Sequence, residues 1–349
     1  SGTFGGLTIP VGGGVVGASL NGSATVNAHD NVSVDGGTFG VAAISMNHAA
    51  TVTIDDGVVI DPPTIGAAAI VLGGSSDATV NTGASTIDAT TVGVLALNSG
   101  SGNAVVNGTN VTVGAVTQPS LGIGGFALGS GNVDINADNS TVNAGAGILG
   151  VASGVGQVDI DSGTTNATGL GALSVGVAGV ALGGGDVNIT THGNTTADGL
   201  AGVLGYAGAG GDVNETLGST TVKAANGIGV LGVATGGGSV DIQGADSTVN
   251  AAAGIAGYAD TGGGVTIDSG TVTATGAGPL SIGVAGVALG GGNVGIDTHG
   301  DTTADGLAGV MGVADTGNVE IDYSHDTVTA HNGVGVLALA GGTVDIDGW

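Results

Sequence analysis

A short phrase recurs down this chain: a turn of small residues, then Val-x-Ile. It reads Val133-Asp-Ile135, Val158-Asp-Ile160, Val187-Asn-Ile189, Val240-Asp-Ile242, Val265-Thr-Ile267, Val294-Gly-Ile296, Val319-Glu-Ile321 and Val344-Asp-Ile346. Weaker copies start near Ala24, Val52, Ala78, Ala104 and Val213, and successive starts lie 25 to 29 residues apart. A period of that length marks a solenoid, in which each unit buries its apolar side only against its neighbours.

Each period holds three short pieces of alternating character. From Val240 they are Val240-Asp-Ile242, Ser247-Thr-Val249-Asn-Ala251 and Gly254-Ile-Ala-Gly-Tyr258, separated by Gly, Asn and Asp. Alternation with period two is the strand signal, and the gaps carry turn residues. Helix is disfavoured, because glycine every four or five residues would cost about 1 kcal/mol each in a helix. Three strands and three corners per turn predict an all-β, right-handed parallel β-helix of triangular section, with about 13 coils of 25–29 residues. At about 4.8 Å per rung its length is on the order of 60 Å.

Composition agrees with a narrow interior. Of 349 residues 78 are Gly, and only seven are aromatic (Trp 1, Tyr 3, Phe 3). The core must therefore be built from Val, Ile, Leu and Ala, which stack well in thin sheets. The Gly-Val-Leu pieces at Gly202, Gly229 and Gly335 mark the third face as flat and small. Residues 158–207 and 265–314 match without gaps at 38 of 50 positions. The expected organisation is one continuous solenoid over 1–349, with partial coils at 1–23 and 344–349 and a duplicated four-coil block, 133–239 and 240–343. Both ends fall inside coils without a cap, so the strand edges are expected either to continue into more chain or to stack on other copies.

Charge removes several functions. One Lys, no Arg and 28 acids leave −27, so nothing can neutralise nucleic-acid phosphates or bind an anionic membrane surface. No apolar run is long enough to predict a spanning helix. With no Cys there is no disulfide framework, and Ser1-Gly-Thr-Phe shows no charged leader segment.

The Val-x-Ile coils, the Gly/Asn/Asp/Thr corners, the scarcity of basic residues, the lack of Cys and the long imperfect duplications together resemble the passenger regions of Gram-negative autotransporters (type V secretion) and related β-helical surface adhesins. The likeness covers essentially the whole chain and is architectural; the translocator barrel of that family does not follow within these residues. It implies export, surface display, and adhesion or matrix formation. The expected function is thus a non-enzymatic extracellular stalk, adhesin or filament-forming subunit at the bacterial cell surface. Its expected partners are other copies end to end, or cell-surface and matrix ligands. A polysaccharide-active or carbohydrate-binding β-helix is the alternative.

Candidate chemistry is sparse. Asp134, Asp159, Asp241, Glu320 and Asp345 sit between the inward Val and Ile, and Asp161, Asp268, Asp297, Asp322 and Asp347 follow the Ile. Rungs about 5 Å apart would hold some of these close enough to repel, a ladder that is either a solvated face or a weak Ca²⁺ site. Asn188, Asn214, Thr266 and Gly295 interrupt the first column, and the calcium nonapeptide does not recur. Evenly repeated acids without Arg do not make the cleft of a lyase or hydrolase; no catalytic residue and no cofactor other than Ca²⁺ is expected. His192 and His299 are copies of one corner residue, while His29, His48, His325 and His331 are scattered. Thr141/Asn143, Thr248/Asn250, Thr271/Thr273 and Thr327/Thr329 form rows of the kind seen on ice-binding faces, interrupted by Lys223. Extra residues in the 29-residue coils fall around Thr117–Leu121, Gly171–Ser174 and Ala277–Ser281, and read equally as a contact ridge or as drift in corner length.

Overall fold

The computed structural model describes residues 2–4, 7–9, 14–33, 37–61, 63–108, 110–115, 120–169, 171–276 and 281–348. Gly2–Phe4 and Leu7–Ile9 form a small antiparallel pair; the remaining strands of the chain form parallel ladders. Two compact units divide the chain, 1–170 and 171–349, and each is a β-solenoid with three strands per coil.

In the first unit the first face is built by Ala24–Ala28, Ala50–Ile54, Ala78–Thr82, Ala104–Gly108 and the opening residues of Val133–Ala144 and Val158–Ala167. They pair in exact succession, for example Ala78 with Ala104 and Val106 with Ile135. The third face stacks Val15–Ser19, Phe39–Ser45, Ile65–Val71, Val92–Asn98, Leu121–Ala127 and Ala146–Ala152. One expectation is corrected here. The second copy of the repeat starts at Ala50, because Val52 pairs with Val26 below and Val80 above. Val52-Thr-Ile54 itself matches the Val-x-Ile phrase and draws the reading two residues out of register.

In the second unit the first face runs through strands that open at Val187, Val213, Val240, Val265, Val294, Val319 and Val344. The third face runs through 175–181, 201–207, 228–234, 253–259, 282–288, 308–314 and 334–340, all in register. Several coils turn a corner within one long strand, with a register irregularity between Gly244 and Thr248, from the first face to the second, and between Ala224 and Ile228, from the second to the third. Among the described residues the only helical element is a single 3₁₀ turn, Gly171–Leu173. That turn is one of the three expected insertions, and it leaves Leu173 75% exposed. The other two fall largely on 116–119 and 277–280, outside the described residues.

Packing inside each coil explains the glycine content. The inward Val and Ile of the first face are buried, except Val344 and Ile346 of the last strand, which are 47% and 43% exposed, and glycines of the third face receive them. A Cβ on Gly286 would lie 2.6 Å from Val294 Cγ1, and one on Gly257 would lie 2.6 Å from Val265 Cγ1. The valine side chain occupies the space that a larger residue opposite would need. At the corner leading into the first face, glycines stack on one another. A Cβ on Gly238, Gly263 or Gly317 would come within 1.9 Å of the carbonyl oxygen one coil below.

Candidate functional site

Register decides which carboxylates meet. In the second unit Asp268, Asp297, Asp322 and Asp347 occupy one row on four consecutive rungs. Glu320 and Asp345 are neighbours in the adjacent row, which Gly295 and Thr266 separate from Asp241. In the first unit Asp134 pairs with Asp159, whereas Asp161 faces Asn136. Partial burial, reinforced by Asp159 and Asp161, raises the Asp134 pKa above the ordinary carboxylate range. Burial also raises Asp268, with His299 opposing the shift and Asp297 adding to it.

His299 enters this row from the corner. Its Nε2 lies 3.1 Å from Asp268 Oδ1 and 3.4 Å from Asp297 Oδ2, so the imidazole bridges two rungs. Two other histidines also tie adjacent coils through Nδ1: His29 to Asp55 at 2.5 Å and His331 to Asp305 at 2.8 Å. The Asp55 hydrogen bond raises the His29 pKa. Farther along the row, the Ser324 hydroxyl and amide both donate to Asp322 Oδ1 and lower its pKa. Among the described residues no group of three or more His, Cys, Asp or Glu is placed to hold one metal ion.

This row makes stability depend on salt. Going from about 10 mM to about 500 mM NaCl shortens the screening length from roughly 30 Å to under 10 Å, so Tm is expected to rise by several degrees. An unchanged Tm would mean that the row does not strain the fold. A calcium increment beyond that of magnesium at equal ionic strength would mark the row as cation-binding.

A second set of acids escapes the repeat phrase altogether. In many coils the residue just before the first-face strand, an Asp or Asn, uses its side-chain oxygen to accept the amide of its equivalent one coil on. Asn103 N donates to Asp77 Oδ1 (2.7 Å), Asn132 N to Asn103 Oδ1 (2.9 Å) and Gln157 N to Asn132 Oδ1 (3.0 Å). In the second unit Asp212 N donates to Asp186 Oδ1 and Ser239 N to Asp212 Oδ1; Asn318 N donates to Asn293 Oδ1 and Thr343 N to Asn318 Oδ1. These Asx residues satisfy corner amides that the strand ladder leaves over. The sequence signal was present: Asp, Asn or Ser precedes most copies of the phrase.

The outward rows of the first and second faces are polar. Asn107 donates to Asn81, Asn166 to Asn143 and Asn214 to Asn188. On the second face Lys223, Asn250, Thr273, Thr303 and Thr329 follow one another in register. The third face is the opposite. In the second unit its outward positions are Val175, Ala201, Ile228, Ala253, Ile282, Ala308 and Val334; then Ala178, Leu204, Leu231, Ala256, Ala285, Met311 and Leu337; then Val180, Tyr206, Val233, Tyr258, Val287, Val313 and Leu339. None of these residues is charged. Ala178, Ala201, Ala285 and Ala308 are buried beneath their neighbours, most of the others are half-buried, and Leu339 is 55% exposed.

One buried residue breaks the interior pattern. Glu215 pairs with Ile189 on one side and Ile242 on the other, and is 1% exposed. Burial pushes its pKa up to about 8. The Gly205 amide leans toward the carboxyl and offsets part of that shift, but neither oxygen receives a hydrogen bond of standard geometry. The carboxyl is therefore neutral at pH 7. Among the described residues no helix is long and apolar enough to cross a membrane.

Compared with known families, characterised proteins and solved structures, the chain matches none.

Proposed function

We propose that this chain is a non-enzymatic structural and adhesive β-solenoid, displayed outside the cell on a bacterial surface as a stalk, adhesin or filament-forming subunit. The repetition of chemistry by face carries this reading. In the second unit the outward carboxylates keep to the first face and the corners, the second face carries Thr, Asn and Lys223 but no carboxylate, and the third face carries uncharged apolar side chains, coil after coil. Repetition of that kind presents many equivalent contacts along a surface, which suits adhesion and assembly. A single Lys and no Arg leave almost nothing for trypsin-type proteases, a useful property outside the cell.

Two assays test it. Beads coated with the full chain should adhere to polysaccharide or matrix-protein surfaces more strongly than albumin-coated beads. A panel of acidic and neutral polysaccharides incubated with the protein should yield neither new reducing ends nor unsaturated products. Turnover of any of them, or adhesion no better than albumin, would overturn the proposal.

A further inference from the structure

We propose that the third face of the second unit pairs with the same face of a second copy, side by side, with each coil opposite its own equivalent. This goes beyond the structural and adhesive reading and rests on geometry alone.

Size comes first. The face spans seven strands. At about 4.8 Å per rung and six residues of about 3.3 Å each, it measures roughly 34 by 20 Å, or about 680 Å² per copy. Two such faces together bury up to about 1,400 Å², inside the range of specific interfaces. A contiguous apolar patch of this size is larger than most monomers expose.

Charge then selects the occupant. On a chain of −27, a basic partner is drawn to the carboxylate rows and away from the one uncharged face. Anionic lipid headgroups would meet Asp260 and Asp315, which follow the third-face strands at one rim, and Asp305 at the other. A flat apolar surface of the same width is what remains, and the molecule itself supplies one.

Relief makes the match specific. The first outward column alternates strictly: Val175, Ala201, Ile228, Ala253, Ile282, Ala308, Val334. The last outward column places Tyr206 on the strand of Ala201 and Tyr258 on the strand of Ala253. A two-fold axis parallel to the direction of coil stacking lays the first column of one copy over the last column of the other, rung for rung. Tyr258 then faces Ala253 of its own coil, the half-buried alanine of the column, while Ala201, opposite Tyr206, is fully buried. The surface around Ala253 is already hollow. A depression of about 680 Å³ is lined there by Ile228, Ala252, Ala253, Ala256, Ile282 and Ala285. Tyr258 of the second copy fills this depression, between the ridges made by Ile228 and Ile282. A two-fold axis perpendicular to the stacking direction would instead set Ile228 against Ile282 and leave the alanines facing one another.

Sedimentation equilibrium of the full chain, from about 1 to 100 μM in about 50 and 500 mM NaCl, tests the pairing. The expected result is a monomer–dimer equilibrium that tightens with salt, as the rim carboxylates are screened. Ala253→Leu fills the depression and Tyr258→Ser removes the plug, so each should weaken dimerisation at least ten-fold with Tm unchanged. Ala253→Leu places a side chain where this column already carries Ile at two other coils. Ala256→Leu, in the lining of the same depression and in a column that already carries Leu231 one coil away, supplies a second variant should Tyr258→Ser fail to fold. Gly295→Thr on the first face should leave the dimer intact. A monomer at every concentration, open-ended growth beyond the dimer, or a dimer indifferent to all three third-face variants would overturn the pairing. None of these outcomes bears on adhesion or polysaccharide turnover, so the two proposals fail separately.

Discussion

Glu215→Ile is expected to stabilise the protein by about 3 kcal/mol at pH 7, and by more at pH 9. The variant restores the residue found at both neighbouring rungs, Ile189 and Ile242, so the interior already accommodates its shape. In the native protein the Glu215 carboxyl is buried and its pKa stands at about 8, against an ordinary 4.5. Unfolded, the group loses its proton near pH 4.5; folded, it keeps the proton up to about pH 8. Between those values the unfolded chain binds fewer protons, so stability falls as pH rises, by about 1.4 kcal/mol per unit. The penalty is absent below about pH 4.5 and complete above pH 8, where it reaches about 5 kcal/mol. Chemical denaturation of wild type and variant at pH 5, 7 and 9 checks this. The gap between them should widen with pH, with Tm at pH 7 higher by about 4 °C in the variant. Glu215→Gln should flatten the pH dependence and recover less stability, because its buried amide still lacks partners. A gap that is the same at pH 5 and pH 9 would contradict the burial of the ionisable group.

Gly292→Ala is expected to be the most damaging small change, costing about 3 kcal/mol or more. The added methyl would lie 1.8 Å from the Gly263 carbonyl oxygen and 2.5 Å from its carbon. Backbone one coil below cannot retreat without opening the ladder there. Three residues on, Gly295 faces outward with nothing within 4 Å of a Cβ, between Thr266 and Glu320 in register. Gly295→Thr should therefore stabilise by about 0.5–1 kcal/mol, by giving the strand a residue suited to it and stiffening the unfolded chain. Urea titrations of the two variants should give midpoints shifted in opposite directions. Equal shifts would mean that the corner glycines are not in contact from coil to coil.

Much of this was legible in the residue order. Val-x-Ile at intervals of 25 to 29 residues identified the solenoid, the three strands per coil and the row of Asp268, Asp297, Asp322 and Asp347, because an outward position next to an invariant core phrase needs no further information to be placed. Val52 misplaces the start because Val52-Thr-Ile54 itself reads as Val-x-Ile, two residues out of register with the copies at Ala24 and Ala78. The copy at Val213 is legible, but a carboxylate in its Ile slot gives no sign of burial until Ile189 and Ile242 are seen on the rungs to either side. The apolar third face could not be assigned an outside by period-two reasoning. Val175-Gly-Val-Ala-Gly-Val-Ala181 is apolar or small at every position, so alternation gives no sign of which side chains face water. The bridge from His299 to Asp268 joins residues 31 apart, and depends on where the corner turns.

The most direct test of the account is the register itself, and a chain without native cysteine allows it to be measured by disulfide formation. Equivalent positions on adjacent parallel strands lie about 4.8 Å apart, within the span of about 4.4–6.8 Å that a disulfide bridges, whereas a partner two residues along lies beyond about 7 Å. Thr25→Cys with Thr51→Cys, which pair directly, should oxidise rapidly and completely. Thr25→Cys with Thr53→Cys, the pairing implied by a coil starting at Val52, should remain reduced under the same conditions. Rapid closure of the second pair with the first left open would contradict the stacking from which the account is built.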